Sequence, residues 1–281
     1  MDDAARVVSA ITHTNCFISG NNAISGMTID TTLVKIAGIP WRWMEPHWRT
    51  STALFNLSLD ALHVWRGHVD SWARRLDAGD DPLTETEQRR ADSIRNIRRR
   101  HQFLAARTLA RVLINHYFQH GAARVIEHDG GRMGVEAPPF SPPLFLSISH
   151  RDNLFIVAAA RRRCAVDLEK TKDIHNYSRV ARQLLPDEYH LALLHCDESP
   201  LEQARLFIKY WTALETRYKL HGEGSFLHYL RKLTASTCER HDPPLWARHF
   251  AAYPGYIGAL AVCNDAVAPV FYDADAVFHR G

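Results

Sequence analysis

The chain has 281 residues, 46% of them hydrophobic and 23% charged, with a formal net charge of +3. That is ordinary for a soluble globular protein and long enough for one large domain or two small ones with a real core. So small a net charge does not call for nucleic acid or a membrane surface as partner.

Residues 1–50 mix Thr, Asn and Gly with short apolar pieces and show little periodicity. They are expected as a poorly organised N-terminal extension whose Trp41, Trp43 and Trp48 pack on the main body. Ala61 to Arg66 reads as a strand. Thr84 and Glu87 stand three apart, as in a capping box, and open a long helix to about Tyr117. Phe103, Leu104, Leu109, Val112 and Leu113 repeat along it at helical spacing. Leu144 to Ile148 and Leu154 to Ala160 read as strands joined by the tight turn Ser-His-Arg-Asp-Asn. Ala165 to Glu169 reads as another strand, Val180 to Leu194 and Leu201 to Leu220 as helices, and Tyr256 to Cys263 as the final strand.

A faint repeat runs through this order. Phe103, Arg107 and Thr108 align with Phe207, Trp211 and Thr212, and Arg111 then falls on Glu215. Two similarly built halves facing each other would explain it. Helices with short, mostly antiparallel strands give the class α+β, with an N-terminal half at 51–161 and a C-terminal half at 162–281.

Cys16, Cys164, Cys196, Cys238 and Cys263 contain no CxxC pair and are odd in number, so free thiols in a reducing compartment are expected rather than a disulfide framework or structural zinc. Met1-Asp2-Asp3 lacks the basic and apolar parts of a secretory signal, and no apolar run approaches a membrane span. The expected location is the cytoplasm.

Four segments could carry chemistry. In Ala165 to Thr171 side chains alternate along a strand, so Val166 and Leu168 point into a core while Asp167 and Glu169 point together to the other side. Neighbouring carboxylates repel unless a cation lies between them, and magnesium takes oxygen ligands of this kind. The competing reading is a solvated acidic strand face. In Phe207 to Gly224, Trp211, Glu215 and Lys219 share one helix face. That offers Glu215 to the metal and Lys219 to a phosphate, or is a surface ion pair over a core Trp. Gly222 and Gly224 end that helix. Ser149 and His150 sit where a strand meets a turn and can reach a ligand, unless they serve the turn alone. Eight arginines lie between Arg89 and Arg111. They suit an acidic protein, nucleotide phosphates or nucleic acid, or form a solvated face.

The order of these pieces resembles the Sfp-type 4′-phosphopantetheinyl transferases, over roughly Leu57 to Cys263. The likeness is carried by Ser-His at a strand end, AVDLEKTK, the LLPDEY segment, a helix with W-T-x-x-E-x-x-x-K, and a following GxG. It implies two pseudo-symmetric halves with the active site in the cleft between them. Asp167, Glu169 and Glu215 would then hold Mg2+, and Glu215 and Lys219 would be catalytic. His150 and Lys219 would contact the phosphates of coenzyme A, Ser149 and Arg132 its adenine or 3′-phosphate, and Arg107 its nucleotide end. The reaction implied is transfer of the 4′-phosphopantetheine group to a serine of an apo acyl or peptidyl carrier protein, by a monomer, without nucleic acid or membrane. Three positions depart from the pattern: Leu214 where a Lys is usual, Gly131-Arg132-Met133 in place of Gly-Lys-Pro, and Arg151 in place of Ser. The alternatives are a non-catalytic relative that binds coenzyme A or a carrier protein, and a nucleic-acid-binding module.

Overall fold

The structure is a computed structural model. It describes residues 33–36, 39–50, 57–77, 83–118, 123–128, 132–171, 177–196, 199–221, 224–235, 245–263 and 267–278. The fold is α+β, built from the same unit twice.

In the first unit, strand β4 (Ala61–His68) is followed by helices α1 (Val69–Asp77), α2 (Glu85–Ser93) and α3 (Ile97–Tyr117). A hairpin of β5 (Arg124–His128) and β6 (Arg132–Glu136) comes next, then strands β7 (Phe145–Arg151) and β8 (Leu154–Ala160). In the second, β9 (Cys164–Lys170) is followed by α4 (Tyr177–Leu184), α5 (Asp187–Leu194), α6 (Pro200–His221) and α7 (Phe226–Ala235), then β10 (Trp246–Tyr253) and β11 (Tyr256–Val262). Each unit lays its last strand between the other two, giving β4-β8-β7 and β9-β11-β10. The aligned helices of the faint sequence repeat, α3 and α6, take the same place in each. Thr108 and Thr212 even make the same bond, donating to the carbonyl four residues back at 3.0 and 2.8 Å.

Both sheets are completed from outside their unit. β1 (Leu33–Ile36) and β2 (Ile39–Met44) extend the second sheet, where β2 runs parallel to β10. β3 (Trp48–Arg49) and β12 (Ala268–Asp273) extend the first, where β12 runs parallel to β4. A short helix, α8 (Ala274–Phe278), follows. Within the expected N-terminal extension, Leu33–Ile36, Ile39–Met44 and Trp48–Arg49 therefore form strands, and Trp41 is fully buried; residues 1–32 lie outside the described residues. Tyr256–Val262 is not the final strand. Both β2 and β12 pair with strands some 200 residues away, so no local pattern announces them.

Two long predicted helices are each two. Thr84 does cap α2 reciprocally with Glu87, the Thr84 N–H donating to the carboxylate at 2.9 Å. The helix stops at Ile94, whose backbone is extended, and Asn96 starts α3 by accepting from Arg99 N at 3.1 Å. Between α4 and α5 stands Pro186, which lacks the N–H a continuing helix needs and forces the residue before it towards extended backbone. Of the cysteines, Cys164, Cys196 and Cys263 are free thiols; Cys16 and Cys238 lie outside the described residues.

Val166 and Leu168 of β9 enter the core between the sheets, beside Leu62, Val64, Ile156 and Phe250. By strand alternation Asp167 and Glu169 then face the other way, towards α6, whose Phe207, Tyr210, Ala213 and Leu214 cover that face of the sheet.

Candidate metal centre

Strand β9 contributes two acids and helix α6 the third. The carboxylate oxygens of Asp167, Glu169 and Glu215 lie within 4.8 Å of one another. Asp167 is 1% exposed. Its Oδ1 accepts from Ser149 Oγ at 2.9 Å and from Lys219 Nζ at 2.7 Å. Lys219 Nζ also donates to the Val166 carbonyl at 3.0 Å, which fixes the ammonium over β9. Asp167 Oδ2 is buried and meets no hydrogen-bond donor among the described residues. Glu169 Oε2 lies 3.3 Å from the Arg151 guanidinium.

Three acids are thus crowded against two cations. Burial, and then the charge of Asp167, push Glu169 up to about 7. The same two causes push Glu215 up to about 8. A partly buried set of oxygen donors, one oxygen orphaned and two acids reluctant to ionise together, fits a hard divalent cation such as Mg2+. Such an ion would satisfy Oδ2 and remove the repulsion that raises both glutamates.

Ser149 and His150 end β7 alongside β9. His150 is exposed at the strand end but crowded on one side. Desolvation and then Lys219 hold its imidazole below the ordinary value, and Arg99 of α3 adds to this. His150 therefore stands within electrostatic reach of helices from both units. Lys219 sits at the acids. Arg132 opens β6, paired with His128, and its side chain lies outside the described residues. Arg107 goes elsewhere: its side chain is 5% exposed, lies 3.8 Å from the Glu87 carboxylate and stacks on the Phe103 ring. Arg111 joins the same buried Glu87. These two arginines hold α2 to α3, which leaves little of Arg107 for a nucleotide. Arg89, Arg90, Arg95, Arg98 and Arg99 are exposed. Leu214, one of the three departures from the resembled pattern, is fully buried in the second unit's core. Gly224 follows α6 with a φ of +70°, which suits glycine at a helix end; Gly222 lies outside the described residues.

The tight turn expected between Ile148 and Leu154 joins β7 and β8, but its contacts with both units were not foreseen. Asp152 has a φ of +53° and accepts from Tyr256 Oη of β11 at 2.8 Å, and it ion-pairs with Lys170 of β9 at 3.4 Å. An Asp-Asn pair between two apolar strands marks a turn, and Asp is one of the few residues that tolerates the left-handed region, but the partners are invisible locally.

No protein-family model matches the chain. The 4′-phosphopantetheinyl transferase HetI of Nostoc sp. is 25% identical over 185 residues, which are 64% of this chain and 77% of that protein. No helix of the described residues is long and apolar enough to cross a membrane.

Proposed function

We propose that this chain, a relative of the 4′-phosphopantetheinyl transferases, moves the 4′-phosphopantetheine arm of coenzyme A onto a serine of an apo acyl or peptidyl carrier protein, releasing 3′,5′-ADP. The observation that carries the reading is the junction of Asp167, Glu169 and Glu215 from β9 and α6, with Lys219 and Ser149 on one carboxylate.

Asp167, Glu169 and Glu215 would hold Mg2+, which when bound supplies positive charge to the diphosphate oxygens of coenzyme A. Lys219 passes from Asp167 to a phosphate oxygen and stabilises the charge that grows there. His150 would contact the phosphates, and Ser149 and Arg132 the adenine or 3′-phosphate. The carrier serine hydroxyl attacks the β-phosphorus, and the bridging bond from that phosphorus to the α-phosphate oxygen breaks. Its electron pair leaves with 3′,5′-ADP, and the serine proton goes to Glu215. The units complete the site within one chain, so a monomer suffices, and cytoplasmic carrier proteins are the substrates in this reading.

The test is labelling of a panel of apo carrier proteins with fluorescent coenzyme A, with Mg2+ or with chelator. Mg2+-dependent transfer is expected, falling about a hundredfold or more in Glu215→Gln. Failure to label any carrier removes the enzymatic reading. Undiminished transfer by Glu215→Gln removes Glu215 from the site.

A further inference from the structure

The turn between β7 and β8 is tied down from four sides. Arg98 of α3 lies 3.9 Å from the Asp152 carboxylate, and Gln102 of the same helix donates to the Asp152 carbonyl at 2.9 Å. Lys170 of β9 and Tyr256 of β11 hold its carboxylate from the other unit. Asn153 accepts from Val69 N through its carbonyl at 2.9 Å and from Asp70 N through its side chain at 3.1 Å, which fastens the start of α1. A turn with a non-glycine residue in the left-handed region, held by α1, α3, β9 and β11, has its backbone fixed.

Arg151 is the residue that this fixed backbone presents to the acids. Its guanidinium reaches Glu169, yet its side chain stays 43% exposed at the mouth of the site. Lys219 is engaged on Asp167, while Arg151 lies directly against Glu169. The Leu214 position adds no cation, since it is buried in the core.

We propose that Arg151 is a coenzyme A-binding residue: its guanidinium holds Glu169 in the ligand-free protein and turns to a phosphate oxygen of the substrate when a divalent cation takes the carboxylate. This rests on the transferase reading and adds a contact to it. A divalent cation bound to Glu169 neutralises its charge and weakens its hold on Arg151. A planar guanidinium so released, beside a diphosphate, meets the geometry it binds best. The anchored turn means that only side-chain torsions move, so little ordering is left to be done on binding.

The experiment compares wild type with Arg151→Ala and Arg151→Lys in two arms. One measures KM for coenzyme A and for an apo carrier protein in Mg2+. The other measures coenzyme A binding by calorimetry with Mg2+ and no carrier protein, and melting checks the fold of each variant. Loss of a charged hydrogen bond predicts that Arg151→Ala raises KM and Kd for coenzyme A roughly tenfold to a hundredfold. The carrier KM stays within about twofold, because the lost contact is to coenzyme A alone. Arg151→Lys recovers part of the loss. Unchanged coenzyme A binding in Arg151→Ala overturns the proposal, as does an effect confined to the carrier KM. If wild type binds coenzyme A but labels no carrier, the transferase reading fails while the calorimetric arm still decides Arg151. If wild type does not bind coenzyme A, both fall.

Discussion

Replacing Glu169 by Gln in the metal-free protein should stabilise it at alkaline pH. Glu169 is raised from 4.5 to about 7, first by burial and then by Asp167. A group whose pKa is higher folded than unfolded adds stability below its unfolded value and loses it as pH rises through the folded one. Here that contribution is present below 4.5 and gone above about 7. The displacement corresponds to about 3 kcal/mol. Gln cannot ionise, so Glu169→Gln is spared this loss. The contact to Arg151 is forfeited, but that guanidinium is half in water and its pair is worth a few tenths to about 1 kcal/mol. At pH 8.5 with chelator the variant should therefore melt several degrees above wild type, at about 2–4 °C per kcal/mol. The gap should close towards pH 5. Millimolar Mg2+ should reverse the order, because ligands that must be deprotonated bind metal best where they are already ionised. Melting curves at pH 5 and 8.5, with Mg2+ and with chelator, read all four corners. A variant that melts below wild type at pH 8.5 without metal, or a difference that ignores pH, would refute the account of crowded acids.

Trp41→Ala should cost about 3–5 kcal/mol in chemical denaturation, since a fully buried ring is removed from the second unit's core; a loss under about 1 kcal/mol would show that β2 is not held by that core. Charge reversal at the exposed Arg90 and Arg95 should raise the apparent KM for an acidic carrier protein more than that for coenzyme A, by a margin that shrinks as salt rises; equal effects on both substrates count against docking there. His63 is buried, its Nδ1 facing Tyr117 Oη at 2.9 Å, and desolvation holds it down at about 4 against 6.5. Its contribution is present above pH 6.5 and drains away as pH falls through 4, about 3 kcal/mol in all. His63→Gln should flatten stability over that window; an unchanged acid limb shows that other groups set it.

What could be read from the sequence was what local period controls. The alternation in AVDLEKT gave the right face to Asp167 and Glu169 because Val166 and Leu168 had somewhere apolar to go. The 3.6-residue repeat put Glu215 and Lys219 together, and both reach β9. Long-range facts were out of reach. Arg107 looked available on a basic helix, but α2 folds back and lays Glu87 against it. Arg151 looked like a turn residue, and only the side-by-side placement of β7 and β9 brings it to Glu169. The breaks at Ile94 and Pro186 were local signals, an Asn cap and a proline, overruled by apolar periodicity that continued through them.

The place of β12 bears on how the chain is made. The first sheet holds a strand that is synthesised only after all of the second unit, lying parallel to β4 across more than 200 intervening residues. On an elongating ribosome β4 therefore waits with an unpaired edge while the second unit emerges, and N-terminal-first folding stops short of completion. Neither unit can be cut free at the 161–163 joint as a finished protein.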